Sequence, residues 1–175
     1  LVRRPEMRQR LLMKKPLLRI SPSDLDNLLS TLDVRFVALS ECLVSLGHRL
    51  EIEGASVPSI HYNLLGTAKM YIGDCTPMQL SPHTLVVVPA NLSCRIEVPT
   101  ETGESATVRA VDSRAQIATK DGVRRFNAGN GTPEISLICG FFTAFYGSTT
   151  DLFCTLTAPI VEQFAPDDQL DVKFT

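Results

Sequence analysis

The amino-acid sequence predicts a mainly β fold of the barrel or sandwich kind. From residue 34 onward, short runs rich in β-branched and aromatic residues alternate with turn residues, and a turn recurs roughly every eight to twelve residues. Two tight-turn signals fit this scheme: Gly73-Asp74 lies between "AKMYI" and "MQL", and Asp121-Gly122 joins "AQIATK" to "VRRFN". The run "ISLICGFFTAFY" is almost entirely apolar, which is typical of a buried strand.

Two short helical segments are expected at the ends of this β region. In "ISPSDLDNLLSTLD", Ser21 can cap a helix and Pro22 is tolerated at its first position. The apolar residues of this helix fall on one stripe, formed by Leu25, Leu28, Leu29 and Leu32. Near the end of the chain we predict a second short helix around Leu152 to Leu156, ended before Pro159.

Charge is distributed unevenly along the chain. Residues 1–20 hold seven Lys and Arg and one Glu, a net charge of +6; the whole chain has −2, so residues 21–175 carry −8. We therefore predict a basic flexible tail at 1–20 and one domain at 21–175. An acidic body repels phosphate backbones and is a poor nucleic-acid surface, whereas the tail is either simply solvated or a contact for nucleic acid or anionic lipid.

Cysteine usage and hydropathy indicate the compartment. The five cysteines are an odd number, widely spaced and without a C-x-x-C pair, which argues against a disulfide framework or a zinc knuckle. Such usage suits a reducing compartment, so the expected location is cytoplasmic. No apolar run approaches the roughly 20 residues that span a bilayer, so no membrane partner is expected.

The order of these motifs resembles a known family. After the predicted helix come "VRFVALSECLVS", "IHYNLLGTAKMYIGD", "LSPHTLVVVPANLSCRIEV" and "LICGFF". This series is similar to the N-terminal cupin domain of AraC-type transcriptional regulators of bacteria, over roughly residues 22 to 145. The resemblance implies a cupin-type β-barrel or jelly roll that senses a small-molecule effector, so residues 21–175 are expected to form a cupin-like sensor domain.

The sequence departs from metal-dependent cupins at their ligand positions. If Gly66 is the glycine of the family's first motif, the resemblance places that motif's ligands at Ile52, Gly54 and Ser59. In the second motif Asn91 takes the glycine position, where it tolerates left-handed backbone geometry, and Cys94 takes the histidine position. A centre such as non-haem iron needs about three His or carboxylate ligands, so neither a metal nor another cofactor is expected.

Three residues are candidates for binding the effector. Side chains alternate along "SIHYNLL", so His61 and Asn63 face the same way, into the predicted barrel, with Cys94 across from them. Few polar groups in an apolar cavity are typical of a small-molecule site. In the alternative interpretation, His61 and Asn63 satisfy buried backbone groups. Arg95 is expected to point outward as a surface charge.

Two further cysteines suggest a second hypothesis. Cys42, on the first long strand, and Cys139, in the apolar run, could lie close together in a barrel and sense oxidants as a thiol pair. The alternative is that both are buried, unreactive and act as small hydrophobes.

The expected function is sensing without catalysis, and no catalytic residue is assigned. DNA is expected to be bound only through a helix-turn-helix domain that is not present in this chain, and the resemblance also allows a homodimer. Two alternatives remain open: a thiol-based redox-sensing domain of such a regulator, and a metal-dependent cupin enzyme.

Overall fold

The computed structural model describes residues 21, 23, 27, 30–100, 108–112, 117–120, 123–147 and 149–168, with only the backbone at 117–120 and 167. The chain divides into two compact units, Leu1–Thr31 and Leu32–Thr175. In the first unit, Ser23, Asn27 and Ser30 have helical backbone geometry, but most of the predicted N-terminal helix lies outside the described residues, as does the basic tail. Both stay predictions, except at Leu32, which was expected on the helical stripe and instead begins a strand that pairs with residue 146 of the larger sheet.

The second unit is built almost entirely from strands, which confirms the predicted mainly β fold. Its described elements run in the following order: β1 (Leu32–Ser45), β2 (His48–Ile52), β3 (Ser59–Gly66), β4 (Ala68–Ile72), β5 (Met78–Leu80), β6 (Thr84–Val88), β7 (Cys94–Val98), β8 (Arg109–Asp112), β9 (Ile117–Lys120), β10 (Val123–Ala128), β11 (Pro133–Tyr146), β12 (Thr150–Asp151), β13 (Ile160–Gln163) and a 3-10 helix (Pro166–Asp168).

The strands form two sheets. The larger sheet has the order β13-β6-β3-β11-β1-β10-β9, with β12 also paired to β11, and the smaller sheet has the order β5-β4-β7-β2-β8. Most neighbours are antiparallel, but β1 with β10 and β2 with β8 are parallel pairs. The long strands β1 and β11 lie side by side at the centre of the larger sheet and form its most extended pairing.

The main core combines inward-facing side chains of both sheets. Along β7, Cys94, Ile96 and Val98 alternate with outward-facing residues, and this period of two repeats on the other strands. The most deeply buried members include Val44, Leu50, Met70, Val86, Ile96 and Leu137. Each such side chain contributes about 1.5 to 3 kcal/mol when fully removed from water, so the facing apolar surfaces hold the two sheets together.

A second, smaller apolar cluster lies on the other face of the larger sheet. Phe142 and Val87 are buried there, and Phe153 and Leu156 pack against them from the segment that follows β12. The rings of Phe142 and Phe153 meet edge to face with centroids 5.2 Å apart.

This packing accounts for an error in the sequence prediction. No helix forms around Leu152 to Leu156; residues 152–155 are bends and turns. The Asp151 carboxylate accepts a hydrogen bond from the Phe153 N–H at 3.0 Å, a local alternative to a helical bond. Because Phe153 and Leu156 both pack against the small cluster around Phe142, burial of these side chains outweighs the weak helical preference of so short a segment.

The two predicted hairpins are both present. Gly73 follows β4 with φ 48°, a left-handed conformation that glycine adopts at little cost, and β4 pairs with β5. Lys120 of β9 is opposite Val123 of β10, which leaves a two-residue connection. The connecting residues, 121 and 122, lie outside the described residues.

Candidate functional site

A cavity of about 300 Å³ lies on the inner face of the larger sheet. Its walls come from β1, β3, β10 and β11 of that sheet and from the end of β2 in the smaller one. The side chains of its deep part are Ser40, Cys42, Ser59, His61 and Cys139, all buried, whereas Glu53 and Arg124 are exposed at its mouth.

Strand register explains why these residues meet. His61 on β3 is opposite Cys139 on β11, Cys139 is opposite Ser40 on β1, and Ser40 is opposite Arg124 on β10. Directly paired residues point to the same face of a sheet. One row across the larger sheet therefore presents an imidazole, a thiol, a hydroxyl and a guanidinium group to the cavity.

His61 is the central polar group. It is only 1% exposed, and its Nε2 lies 3.0 Å from Ser59 Oγ and 3.7 Å from Cys94 Sγ. Its other ring nitrogen, Nδ1, is buried and has no hydrogen-bond partner among the described residues. Burial lowers the pKa of His61 to about 4, because the charged imidazolium would lose its hydration, so the ring is neutral at pH 7.

Cys94 approaches His61 from the opposite sheet. Burial, with a smaller contribution from Cys42, raises the pKa of the Cys94 thiol to about 12. The thiol is therefore protonated at neutral pH and can donate its S–H to His61 Nε2. Cys94 contacts His61 but is not part of the cavity wall.

Asn63 lies within β3, three residues before the strand ends at Gly66. Its side chain is fully buried, and its Nδ2 donates a hydrogen bond to the Gly66 carbonyl at 2.9 Å. Its Oδ1 has no partner among the described residues. Of the three residues proposed to bind the effector, His61 lies in the cavity wall, Cys94 touches His61, and Asn63 lies outside the wall and binds a backbone carbonyl instead.

Cys42 and Cys139 are neighbours on adjacent strands. Cys42 is opposite Leu137 and Cys139 is opposite Ser40, so the two cysteines are diagonal neighbours on the same inward face. Burial, followed by the nearby Cys42 thiol, holds the pKa of the Cys139 thiol well above its usual range. No disulfide links the cysteines, all of which are described and free.

Sequence reasoning missed several residues of the wall. Ser59 is two positions before His61, so strand alternation would have placed the two side chains on one face. Ser40 is likewise two positions before Cys42 on β1, so alternation would have placed these two side chains on one face as well. Arg124 and Phe126 gave no comparable signal, because they reach the cavity only through the parallel pairing of β1 with β10. Arg95 points outward as predicted: its guanidinium group lies 4.2 Å from the centre of the Tyr71 ring.

The donors around this cavity do not fit a catalytic metal. Ile52 and Gly54 line the cavity but have no donor atom in their side chains, and the hydroxyl of Ser59 is already bonded to His61. Across the described stretches of the chain, no group of three or more His, Cys, Asp or Glu side chains is arranged to hold a metal ion.

Comparison with family models, curated proteins and solved structures gives no match for this chain. No helical segment in the described part of the chain has the length and apolar character required to cross a bilayer.

Proposed function

We propose that this protein is the effector-sensing domain of an AraC-type transcriptional regulator, and that it binds a small molecule in a cupin-type barrel without transforming it. The cavity beside His61 carries this proposal. Its volume of about 300 Å³ is at the lower end of the range of roughly 300 to 1,000 Å³ for small-molecule sites. Its wall is mostly apolar and holds few polar groups, of which His61 has an unused ring nitrogen.

The positions on which the cupin resemblance rests support this proposal. Asn91, at the motif's glycine position, has φ 63°, the left-handed geometry expected there. Ile52, Gly54 and Ser59, at the first motif's ligand positions, line the cavity, and Cys94, at the histidine position, contacts His61. These motif positions thus lie around one cavity, and they carry none of the His or carboxylate side chains that bind the metal in metal-dependent cupins.

The protonation states favour recognition over turnover. A general base is most effective with a pKa near the working pH, whereas burial lowers the pKa of His61 to about 4. A cysteine nucleophile needs a thiolate, whereas the pKa of Cys94 is raised to about 12. His61 and Cys94 are therefore both uncharged at neutral pH, a state in which they can form hydrogen bonds to a ligand but are poor catalytic groups.

Ligand binding would act on the central strand of the larger sheet. Ala38, Ser40 and Cys42 of β1 line the cavity, and the same strand exposes Val37, at 68%, to solvent. A ligand favours one arrangement of this strand only in proportion to its difference in affinity between the two arrangements. In this proposal, such a shift is passed to a DNA-binding domain or to a second copy in a homodimer.

Substitution of Ala38 tests where the ligand binds. Ala38→Phe extends a ring into the cavity and is expected to abolish the rise in melting temperature that a bound small molecule gives the wild type. Ala38→Leu, a smaller addition with less risk of overpacking, is expected to weaken the same binding. Thermal shift with a panel of small organic compounds of mixed charge, followed by calorimetry, measures both effects.

Val37→Phe is the control for these variants, because it adds the same ring to an exposed neighbour. It should bind compounds as the wild type does. Unchanged binding in both Ala38 variants would contradict a ligand site in this cavity.

Redox sensing remains a second candidate because Cys42 and Cys139 are diagonal neighbours on adjacent strands. Burial argues against rapid oxidation, since both cysteines are shielded from solvent and burial raises the pKa of the Cys139 thiol. We expect iodoacetamide to modify the exposed Cys75 and Cys154 in the native protein while the buried Cys42, Cys94 and Cys139 stay protected. Mass spectrometry of digested protein measures this pattern.

Alkylation in urea is the control, and all five cysteines should then react. A Cys42–Cys139 disulfide formed by mild oxidant in the native protein would instead favour the redox function. A metal-dependent cupin enzyme has no comparable support, because the ligand positions hold no set of donors.

A further inference from the structure

We propose that the ligand of this cavity is a small carboxylate with an aromatic or similarly apolar body, whose anionic group pairs with Arg124 at the mouth. This inference rests on the proposed small-molecule function and names the class of ligand.

Arg124 has a geometry suited to an incoming anion. It lines the cavity, is exposed to solvent, and forms no ion pair with any described residue. Its neighbour Arg125 points to the other face of the sheet, where it pairs with Glu41. The strand alternation thus assigns one guanidinium group to a structural ion pair and leaves the next one facing the cavity, with five donors free to bind a carboxylate.

The other charged residue of the wall, Glu53, is less available to a cationic ligand than Arg124 is to an anionic one. Glu53 is exposed at the mouth, but it already takes part in an interaction of its own. Arg124 is therefore the charged side chain available to a ligand. The body of the protein is acidic, with −8 over residues 21–175, so a bound anion needs this local positive charge to offset the surrounding field.

The remaining wall fits an apolar body. Phe126 and Phe141 are half-buried, and the buried Cys42 and Cys139 are small side chains that pack as hydrophobic residues do. A cavity of about 300 Å³ admits a body of one or two rings but not an extended chain.

A second polar contact is available at the inner end. His61 and Arg124 are three strand spacings apart along one row of the sheet, roughly 14 Å between their backbones. The buried Nδ1 of His61 has no partner among the described residues, and an unpartnered polar atom costs stability that a ligand group can restore. A polar substituent on the ring, away from the carboxylate, would meet this nitrogen.

Three probes of matched shape test the ligand class: naphthoate, naphthamide and naphthylmethylamine, which are anionic, neutral and cationic. Calorimetry on the full chain is expected to show naphthoate binding about tenfold or more tightly than the other two, and to show that added salt weakens this preference. Arg124→Gln should remove the preference, so that naphthoate then binds no more tightly than naphthamide. Arg109→Gln, which removes an equally exposed arginine outside this cavity, should keep it.

The outcomes separate the two proposals. If naphthamide or naphthylmethylamine binds as tightly as naphthoate, or if Arg124→Gln keeps the preference, the carboxylate assignment is overturned while small-molecule binding stands. Equal losses of the naphthoate preference in Arg124→Gln and Arg109→Gln would likewise overturn it, since they would indicate a general attraction of anions to the protein surface and not a specific contact. If none of the probes binds, the proposed function fails as well. Circular dichroism and melting curves of both variants establish that they are folded.

Discussion

Replacing Gly66 with alanine is expected to destabilise the protein by roughly 3 to 5 kcal/mol, because two separate costs coincide at this position. Gly66 has φ 81°, a conformation that costs any residue with a Cβ about 1 to 2 kcal/mol. A Cβ built there would also lie only 1.7 Å from the carbonyl oxygen of Glu134, so the backbone of β11 would have to move.

Gly147→Ala provides the matched control. Gly147 has a similar φ of 62°, but apart from its chain neighbours no described residue has an atom within 4 Å of a Cβ built at this position. It should therefore show only the conformational cost, about 1 to 2 kcal/mol. Urea denaturation of the wild type and both variants measures the difference, and equal losses would show that β11 yields to the added methyl group without strain.

The consequence for the site follows from where Gly66 lies. Its carbonyl accepts the hydrogen bond from Asn63, and the register of β3 against β11 shifts just beside it, between Ser136 and Leu137. Since β3 carries His61 and β11 carries Cys139, a displaced β11 should also disturb the row of side chains that lines the cavity.

Features determined by local chemistry were predictable from the sequence. Alternation along the strands predicted that His61 faces inward, and the Gly-Asp and Asp-Gly pairs predicted two hairpins. The left-handed geometry of Asn91 also follows from its own side chain, which tolerates that conformation.

Features determined by distant pairing were not predictable in this way. Arg124 reaches the cavity because β10 pairs parallel to β1, and no signal near Arg124 in the sequence indicates that partner. The missing helix after β12 has a similar origin, since Phe153 and Leu156 pack against the distant cluster around Phe142. The residue pattern of one segment does not contain the contacts that this segment makes with strands distant in the sequence.

Acidification should destabilise the protein through His61. The unfolded chain takes up a proton on this residue near pH 6.5, whereas the folded protein does so only near pH 4, because burial penalises the charged ring. Between these values the unfolded state binds more protons, so the free energy of unfolding falls as the pH falls. The full contribution is present above pH 6.5, and roughly 3 kcal/mol should be lost by pH 4, about 1.4 kcal/mol per pH unit.

Urea denaturation of the wild type and of His61→Gln at several pH values between 7.5 and 4 measures this contribution. Glutamine cannot titrate in this range and can still form a hydrogen bond with Ser59. In the variant, the free energy of unfolding should therefore fall less steeply with decreasing pH, whatever its value at neutral pH. Carboxylates protonate in both proteins, and the difference between the two slopes therefore isolates the imidazole. His48→Gln should keep the wild-type slope, because His61 is still buried in it. Parallel slopes for wild type and His61→Gln would mean that His61 is hydrated enough to accept a proton in the folded state, and the neutral hydrogen-bonding surface proposed for this cavity would then be wrong.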